Sequence, residues 1–213
     1  MSHMFVLPLA ETDLYQVIKK HKHLPFDVVT TWGSQILLGT SYIHSKGIVH
    51  QDLKSSNILI MNDMSLKICD FGLARLMPPN KMIGVDRELC TLWYRAPELI
   101  MGESIYTEKI DEWSVGCMLL ELTTGSPPFR GNPQCRCSCP QMTHANFNSD
   151  QLEQIFKMVG SPTKNFVSLM PCQVHISHWP SFPSRLFATV FSSLSSRYML
   201  ALTFLHYNYL TSH

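Results

Sequence analysis

His50-Gln51-Asp52-Leu53-Lys54-Ser55-Ser56-Asn57 is followed by Asp70-Phe71-Gly72 and, after 23 intervening residues, by Ala96-Pro97-Glu98, and these three motifs decide the fold. Taken singly, each Asp or Asn here suits a turn or a helix cap; their order and spacing carry more information than any one of them. Working upstream, Pro25 opens a segment running to Ser45 in which Phe26, Val29, Ile36, Leu37, Tyr42 and Ile43 recur at roughly helical spacing, and Gly47 closes it. That pattern predicts a buried amphipathic helix. Just after the first motif, the apolar runs 58–60 and 66–69 flank Met61-Asn62-Asp63-Met64, which predicts a small hairpin. Downstream, residues 110–124 are mostly apolar around the helical circumference and stop at Gly125 before Pro127-Pro128, so a central, nearly enclosed helix is expected there. Asp111, near its start, must find donors if so apolar a segment is buried.

Composition bounds the rest. The chain has 213 residues, 45% of them hydrophobic, and 17 basic against 16 acidic side chains, for a formal charge of +1. No global field exists to draw nucleic acid or an anionic membrane to the surface, and neither partner is expected. The opening MSHMFVLPLA lacks the basic region and cleavage site of a signal peptide. Seven cysteines, an odd number, suit reduced thiols better than a disulfide framework. An intracellular protein, cytoplasmic or nuclear, is therefore expected. Residues 132–149 carry a single charged residue, Arg136, and the run Cys135-x-Cys137-x-Cys139 with His144; this spacing differs from the paired ligands of structural zinc, and a polar surface insertion is expected. Residues 165–213 contain no Asp or Glu and only Arg185 and Arg197 as basic residues, a divergent tail of unreadable fold. Its apolar part is interrupted by Arg197 before a membrane-spanning run is reached.

The three motifs resemble the catalytic loop, the metal-binding segment and the end of the activation segment of eukaryotic protein kinases, a family that performs phosphoryl transfer. The resemblance implies ATP and Mg²⁺ as cofactors and assigns roles residue by residue. Asp52 would orient the acceptor hydroxyl and take its proton. Lys54 would neutralise charge on the transferring group. Asn57 and Asp70 would hold the magnesium ion through hard oxygen donors. Lysine two places after Asp52 resembles serine/threonine kinases. Thr91-Leu92-Trp93-Tyr94-Arg95-Ala96-Pro97-Glu98 and Asp111-Glu112-Trp113-Ser114-Val115-Gly116-Cys117 resemble the group containing cyclin-dependent and mitogen-activated kinases. Within that group Arg95 would shape the pocket after the acceptor so that proline is preferred, because a backbone carbonyl turned toward Arg95 no longer seeks an N–H from the substrate. Residues 11–15 and 66–75 are closer to mitogen-activated kinases, and Thr91-Leu92-Trp93 with residues 150–163 to cyclin-dependent ones.

The first residues resemble the hinge strand between the two kinase lobes. Leu7 would be the gatekeeper, Pro8 and Ala10 would offer backbone groups to adenine, Asp13 would meet the ribose, and Leu59 would form the floor under the base. The resemblance thus covers a partial kinase domain, residues 5–164, mainly α with a small hairpin and a hinge-like first strand, and the small N-terminal lobe is expected to be absent. No Gly-rich loop, strand lysine or partner glutamate of the family is therefore expected ahead of the hinge-like stretch. No arginine of the expected kind follows residue 164 to pair with Glu98, which is expected to be unpaired. Gln51 replaces the arginine of His-Arg-Asp, and Asp86 and Glu88 stand at the two positions where relatives carry phosphorylated residues, with Arg75 as a candidate partner. The expected function is an ATP-dependent serine/threonine kinase acting on Ser/Thr-Pro sites in proteins, with a cyclin or an upstream kinase as regulator. The alternative is a catalytically inactive, kinase-like interaction module.

Overall fold

The computed structural model describes residues 6–78, 82–86, 88–137, 144–162 and 180–183. Five α-helices and seven short strands lie along them. Strand β1 (Thr12–Asp13) leads directly into α1 (Leu14–His21), and the Asp13 carboxylate accepts a hydrogen bond from the Gln16 N–H at 2.9 Å, capping the helix. Helix α2 (Phe26–Ser45) follows, with Pro25 as its first flanking residue. Strand β2 (Ile48–Val49) enters the first motif, and β3 (Ile58–Ile60) with β4 (Leu66–Ile68) forms the expected hairpin, Ile58 facing Ile68. β3 also pairs antiparallel with β1, setting Leu59 opposite Asp13, so the small sheet runs β1-β3-β4.

Two further two-stranded ribbons pin the long segment after the hairpin. Strand β5 (Arg75–Leu76) pairs with β2, and β6 (Ile83–Gly84) with β7 (Ile105–Tyr106). Between the last two lies the short helix α3 (Pro97–Ile100). Helix α4 (Lys109–Thr124) is the centre of the molecule, packed against α2 and largely buried, as the mostly apolar circumference of 110–124 predicts. Its end is fixed sterically. Gly125 is left-handed at φ 76°, and a Cβ there would lie 1.9 Å from the Lys22 carbonyl oxygen at the end of α1. Helix α5 (Ser149–Val159) is capped by Asn148, whose side chain accepts from the Gln151 N–H.

Two expectations need correction. Val29, Ile36 and Ile43 lie in the core, but Phe26 and Tyr42 do not: Tyr42 is 64% exposed. At 3.6 residues per turn Tyr42 faces away from Val29, and its ring instead meets the Lys46 ammonium 5.3 Å from the ring centroid. The region 132–149 is a surface insertion only in part. Residues 132–134 and Arg136 are exposed, whereas Asn146, Phe147 and Asn148 are buried. The buried part folds back over α5: Asn148 Nδ2 donates to the Asn132 carbonyl at 2.7 Å and the Gly131 N–H to Gln151 Oε1 at 2.7 Å. Cys137 Sγ lies 3.4 Å from His144 Nδ1, and among the described residues no cluster of three metal-ligating side chains exists. No described helix is long and apolar enough to cross a membrane. Cys139 and the tail 184–213 lie outside the described residues, as does 163–179.

Candidate active site

The first motif is an irregular loop between β2 and β3, and its shape is imposed from beneath. Asp111, fully buried in the first turn of α4, accepts hydrogen bonds from the His50 N–H at 2.7 Å and the Gln51 N–H at 2.9 Å, and its second partner on Oδ2 is His44 Nε2 at 2.9 Å. This is the arrangement the burial argument anticipates: three partners satisfy a carboxylate that would otherwise be costly so deep in the core. Gln51 is left-handed at φ 70°, and that reversal is what allows two successive N–H groups to converge on one carboxylate.

Above this anchor the Asp52 carboxylate is held chiefly by Thr91 and Lys54, with the Asn57 amide donating to Oδ2 at 3.4 Å. Oδ1 accepts from the Thr91 N–H at 3.0 Å and the Thr91 hydroxyl at 2.7 Å, and Oδ2 accepts from Lys54 Nζ at 2.6 Å. Lys54 Nζ also donates to Thr91 Oγ1 at 3.0 Å, closing a triangle of acid, base and hydroxyl. Asn57 donates its amide to the Asp52 carbonyl at 2.9 Å, leaving the amide oxygen as its hard donor. The hairpin brings the second motif alongside: Cys69 N–H donates to the Asn57 carbonyl at 3.0 Å, and the next residue is Asp70. Asp70 is left-handed at φ 61° and exposed, its carboxylate accepting from the Gly72 N–H at 3.3 Å. Asn57 and Asp70 thus flank one end of the hairpin with oxygen donors, a set that fits a magnesium ion. His50 ties the two motifs together, its Nε2 at 2.9 Å from the Cys69 carbonyl oxygen and its ring 4.8 Å from that of Phe71.

The third motif is fixed to the same helix. Tyr94 donates its hydroxyl to Glu121 Oε2 at 2.7 Å and shares a hydrogen bond with Ser55 Oγ at 3.0 Å; Ser55 reaches Glu121 Oε1 at 3.2 Å. Burial pushes the Glu121 carboxyl pKa up, and the hydrogen bonds from Tyr94 and Ser55 oppose it. Ser114 Oγ donates to the Tyr94 carbonyl at 2.8 Å. Arg95 is buried with its guanidinium turned inward. Nε donates to the Leu89 carbonyl at 2.8 Å and one terminal nitrogen to the Cys90 carbonyl at 3.0 Å and Glu88 Oε1 at 2.7 Å; the other donates to the Asn146 carbonyl at 2.8 Å. Cys90, left-handed at φ 57°, is the reversal that aims successive carbonyls at Arg95.

The regulatory candidates are also partnered. Arg75 pairs with Asp86, and Glu88 with Arg95 and Arg136. Gln51, in the place of an arginine, donates instead to the Tyr106 hydroxyl. Glu98 has no side-chain ion pair among the described residues, and burial pushes its carboxyl up to about 7, Glu103 adding to the effect and Lys109 opposing it. At the expected nucleotide end, Leu7 is 80% exposed, Pro8 is exposed, Ala10 and Leu59 are half-buried, and Asp13 caps α1. Residues 6–11 form no strand of their own; the Glu11 N–H donates to the Ile60 carbonyl at 2.9 Å just before β1. Sequence reasoning missed His44, Thr91 as the partner of Asp52, Glu121 and Asn146. Thr91 and Glu121 are joined to the loop only through space, and no local pattern marks them.

Loop, metal-binding segment and activation segment held on one buried helix are the arrangement of a protein kinase large lobe. Residues 1–186 match the family model for the protein kinase domain, and the chain belongs to that family. It is 39% identical over 189 residues to cyclin-dependent kinase E-1 of Arabidopsis thaliana, covering 84% of this chain and 38% of that protein. It is 36% identical over 186 residues to mitogen-activated protein kinase 5 of Oryza sativa subsp. indica, covering 86% of this chain and 46% of the relative. Among solved structures it resembles a chain in the crystal structure of the yeast RNA Pol II CTD kinase CTDK-1 complex, with a TM-score of 0.76, 33% identity, and coverage of 92% of this chain and 62% of that one. The chain therefore spans less than half the length of these curated relatives.

Proposed function

We propose that this chain carries the phosphotransfer machinery of a proline-directed, ATP-dependent serine/threonine kinase. The observation that carries the reading is the Asp52 carboxylate, fixed by Thr91 and Lys54 at the mouth of the loop. A carboxylate so held aligns an incoming hydroxyl before reaction and accepts its proton as the oxygen attacks the terminal phosphate of ATP. Lys54, already beside Asp52, lies where charge on the transferring group would be neutralised. Asn57 and Asp70 would hold Mg²⁺, which supplies charge neutralisation on the phosphates when bound. Leu7, Pro8, Ala10, Asp13 and Leu59 would receive the nucleoside, with the kinase domain taken over residues 5–164. The Leu89 and Cys90 carbonyls directed at Arg95 support a preference for proline after the acceptor, since neither seeks an N–H from the substrate. Protein substrates with Ser/Thr-Pro sites, a cyclin or upstream kinase as regulator, and a cytoplasmic or nuclear location belong to the same proposal.

The test is transfer of labelled phosphate from ATP and Mg²⁺ to a Ser-Pro peptide by the purified chain, compared with Asp52→Asn. Weak transfer that the substitution abolishes is expected. Equal rates in parent and variant, with contaminating kinases excluded, would remove Asp52 from its role. No transfer and no binding of ATP would favour the non-catalytic interaction module.

A further inference from the structure

Two residues of the insertion before α5, Arg136 and Asn146, reach the surroundings of Arg95. Arg136 Nη1 donates to Glu88 Oε2 at 3.0 Å, and the other oxygen of that carboxylate accepts from Arg95 at 2.7 Å. Arg136 is braced in turn by its own Nε, which donates to the Pro133 carbonyl at 2.9 Å. Asn146, buried, makes two contacts on the same side: its carbonyl accepts from Arg95 at 2.8 Å and its Oδ1 accepts from the Leu89 N–H at 2.7 Å. The Leu89 carbonyl is itself an Arg95 acceptor, so Asn146 grips both the guanidinium and the backbone that the guanidinium orders.

We infer that Arg136 and Asn146 are specificity-positioning residues: the insertion holds Arg95 and the 88–91 backbone in the orientation that discriminates the residue after the acceptor. Glu88 is the bridge, one oxygen for the pocket arginine and one for the insertion. The bridge needs no phosphate, because a carboxylate bonded to two guanidinium groups supplies charge-assisted hydrogen bonds on its own. The inference rests on the reading of Arg95 given above and adds the element that sets its orientation. Neither residue touches the Asp52 triangle, so phosphotransfer chemistry does not depend on them directly.

The experiment reads binding, which the chain can show without turnover. Two fluorescein-labelled peptides differing only as Ser-Pro against Ser-Ala are titrated with the full chain, and the ratio of their association constants is compared across variants. The parent is expected to favour the proline peptide about five-fold or more, the lower end of the effect of burying an unpaired donor. Arg136→Ala, at an exposed position, folds normally and is expected to lower the ratio about two- to five-fold, the range of an exposed ion pair. Asn146→Ala, which removes Oδ1 but keeps the backbone carbonyl on Arg95, is expected to lower the ratio and to speed hydrogen exchange of the Leu89 amide, and Asn146→Asp, which keeps the acceptor oxygen, is expected to restore both. A merely structural role would weaken both peptides equally and leave the ratio unmoved. An unchanged ratio in Arg136→Ala and Asn146→Ala overturns the inference and leaves Arg95 in place. A parent that binds the two peptides alike, or neither, overturns the Arg95 reading and this inference with it.

Discussion

Replacing Glu98 with glutamine should make the chain more stable at neutral and alkaline pH and hardly change it in acid. The carboxyl sits partly buried with no ion pair among the described residues, and burial moves its pKa from the ordinary 4.5 to about 7. For an acid the sign follows directly. The folded state holds the proton more tightly than the unfolded chain, so the unfolded chain ionises first and stability falls as pH rises from 4.5 through 7. At ~1.4 kcal/mol per tenfold change in proton affinity, that displacement corresponds to about 3 kcal/mol at full ionisation. This is a substantial part of the ~5–15 kcal/mol that holds a domain together. Glu98→Gln keeps the shape and cannot ionise, so its advantage over the parent should be near zero at pH 4 and approach about 3 kcal/mol by pH 8. Urea unfolding of both proteins, followed by tryptophan fluorescence between those limits, reads the difference. Parallel stability profiles for parent and variant would refute the buried, unpaired carboxyl. Glu103→Gln should reduce the effect, because Glu103 is the like charge that adds to it.

Asp111→Asn removes one carboxylate oxygen from a cluster of three donors and should cost about 1–3 kcal/mol, with faster hydrogen exchange at the His50 and Gln51 amides as the specific signature. Gly131→Ala should destabilise by about 1–3 kcal/mol in thermal unfolding, because the new Cβ would lie 2.5 Å from Gln151 Cβ and force α5 away from the loop. Asp86→Asn should change stability by less than about 1 kcal/mol, since its pair with Arg75 is solvent-exposed, and the small difference should vanish in high salt.

The hairpin and α4 were legible because their patterns are local: two short apolar runs about a polar turn, and an apolar stretch closed by glycine and proline. Asp111 was legible by a different route, as a charge in a segment with no room for an unsatisfied one. Helices α1 and α5 also carry a local signal. Asp13 with Gln16 and Asn148 with Gln151 each place a capping side chain three residues before an amide-bearing one, ahead of apolar residues at helical spacing. The partners of Arg95 were not legible. Asn146 lies 51 residues from Arg95 and contributes a backbone carbonyl, whose direction no side-chain pattern records. Tyr42 shows the converse, an apolar residue in near-helical spacing that the helix rotates into solvent.

A helix buried on every face should carry no polar residue, yet α4 carries Asp111, Ser114 and Glu121 with full burial. At ~100° per residue the second lies about 60° and the third about 80° from the first, so all three form one stripe. Each holds a different part of the site. Asp111 takes the backbone of the loop before Asp52, Ser114 the Tyr94 carbonyl, and Glu121 both Tyr94 and Ser55. Moving the catalytic loop or the activation segment away from α4 therefore leaves a buried acceptor or donor unpaired, at about 1–3 kcal/mol for each contact broken. The stripe makes these segments move together or not at all, because Tyr94 and Ser55 share one carboxylate and displacing either leaves Glu121 half-satisfied. The apolar circumference of α4 fixes where the helix sits, and its polar stripe fixes the positions of Asp52 and Arg95 relative to each other.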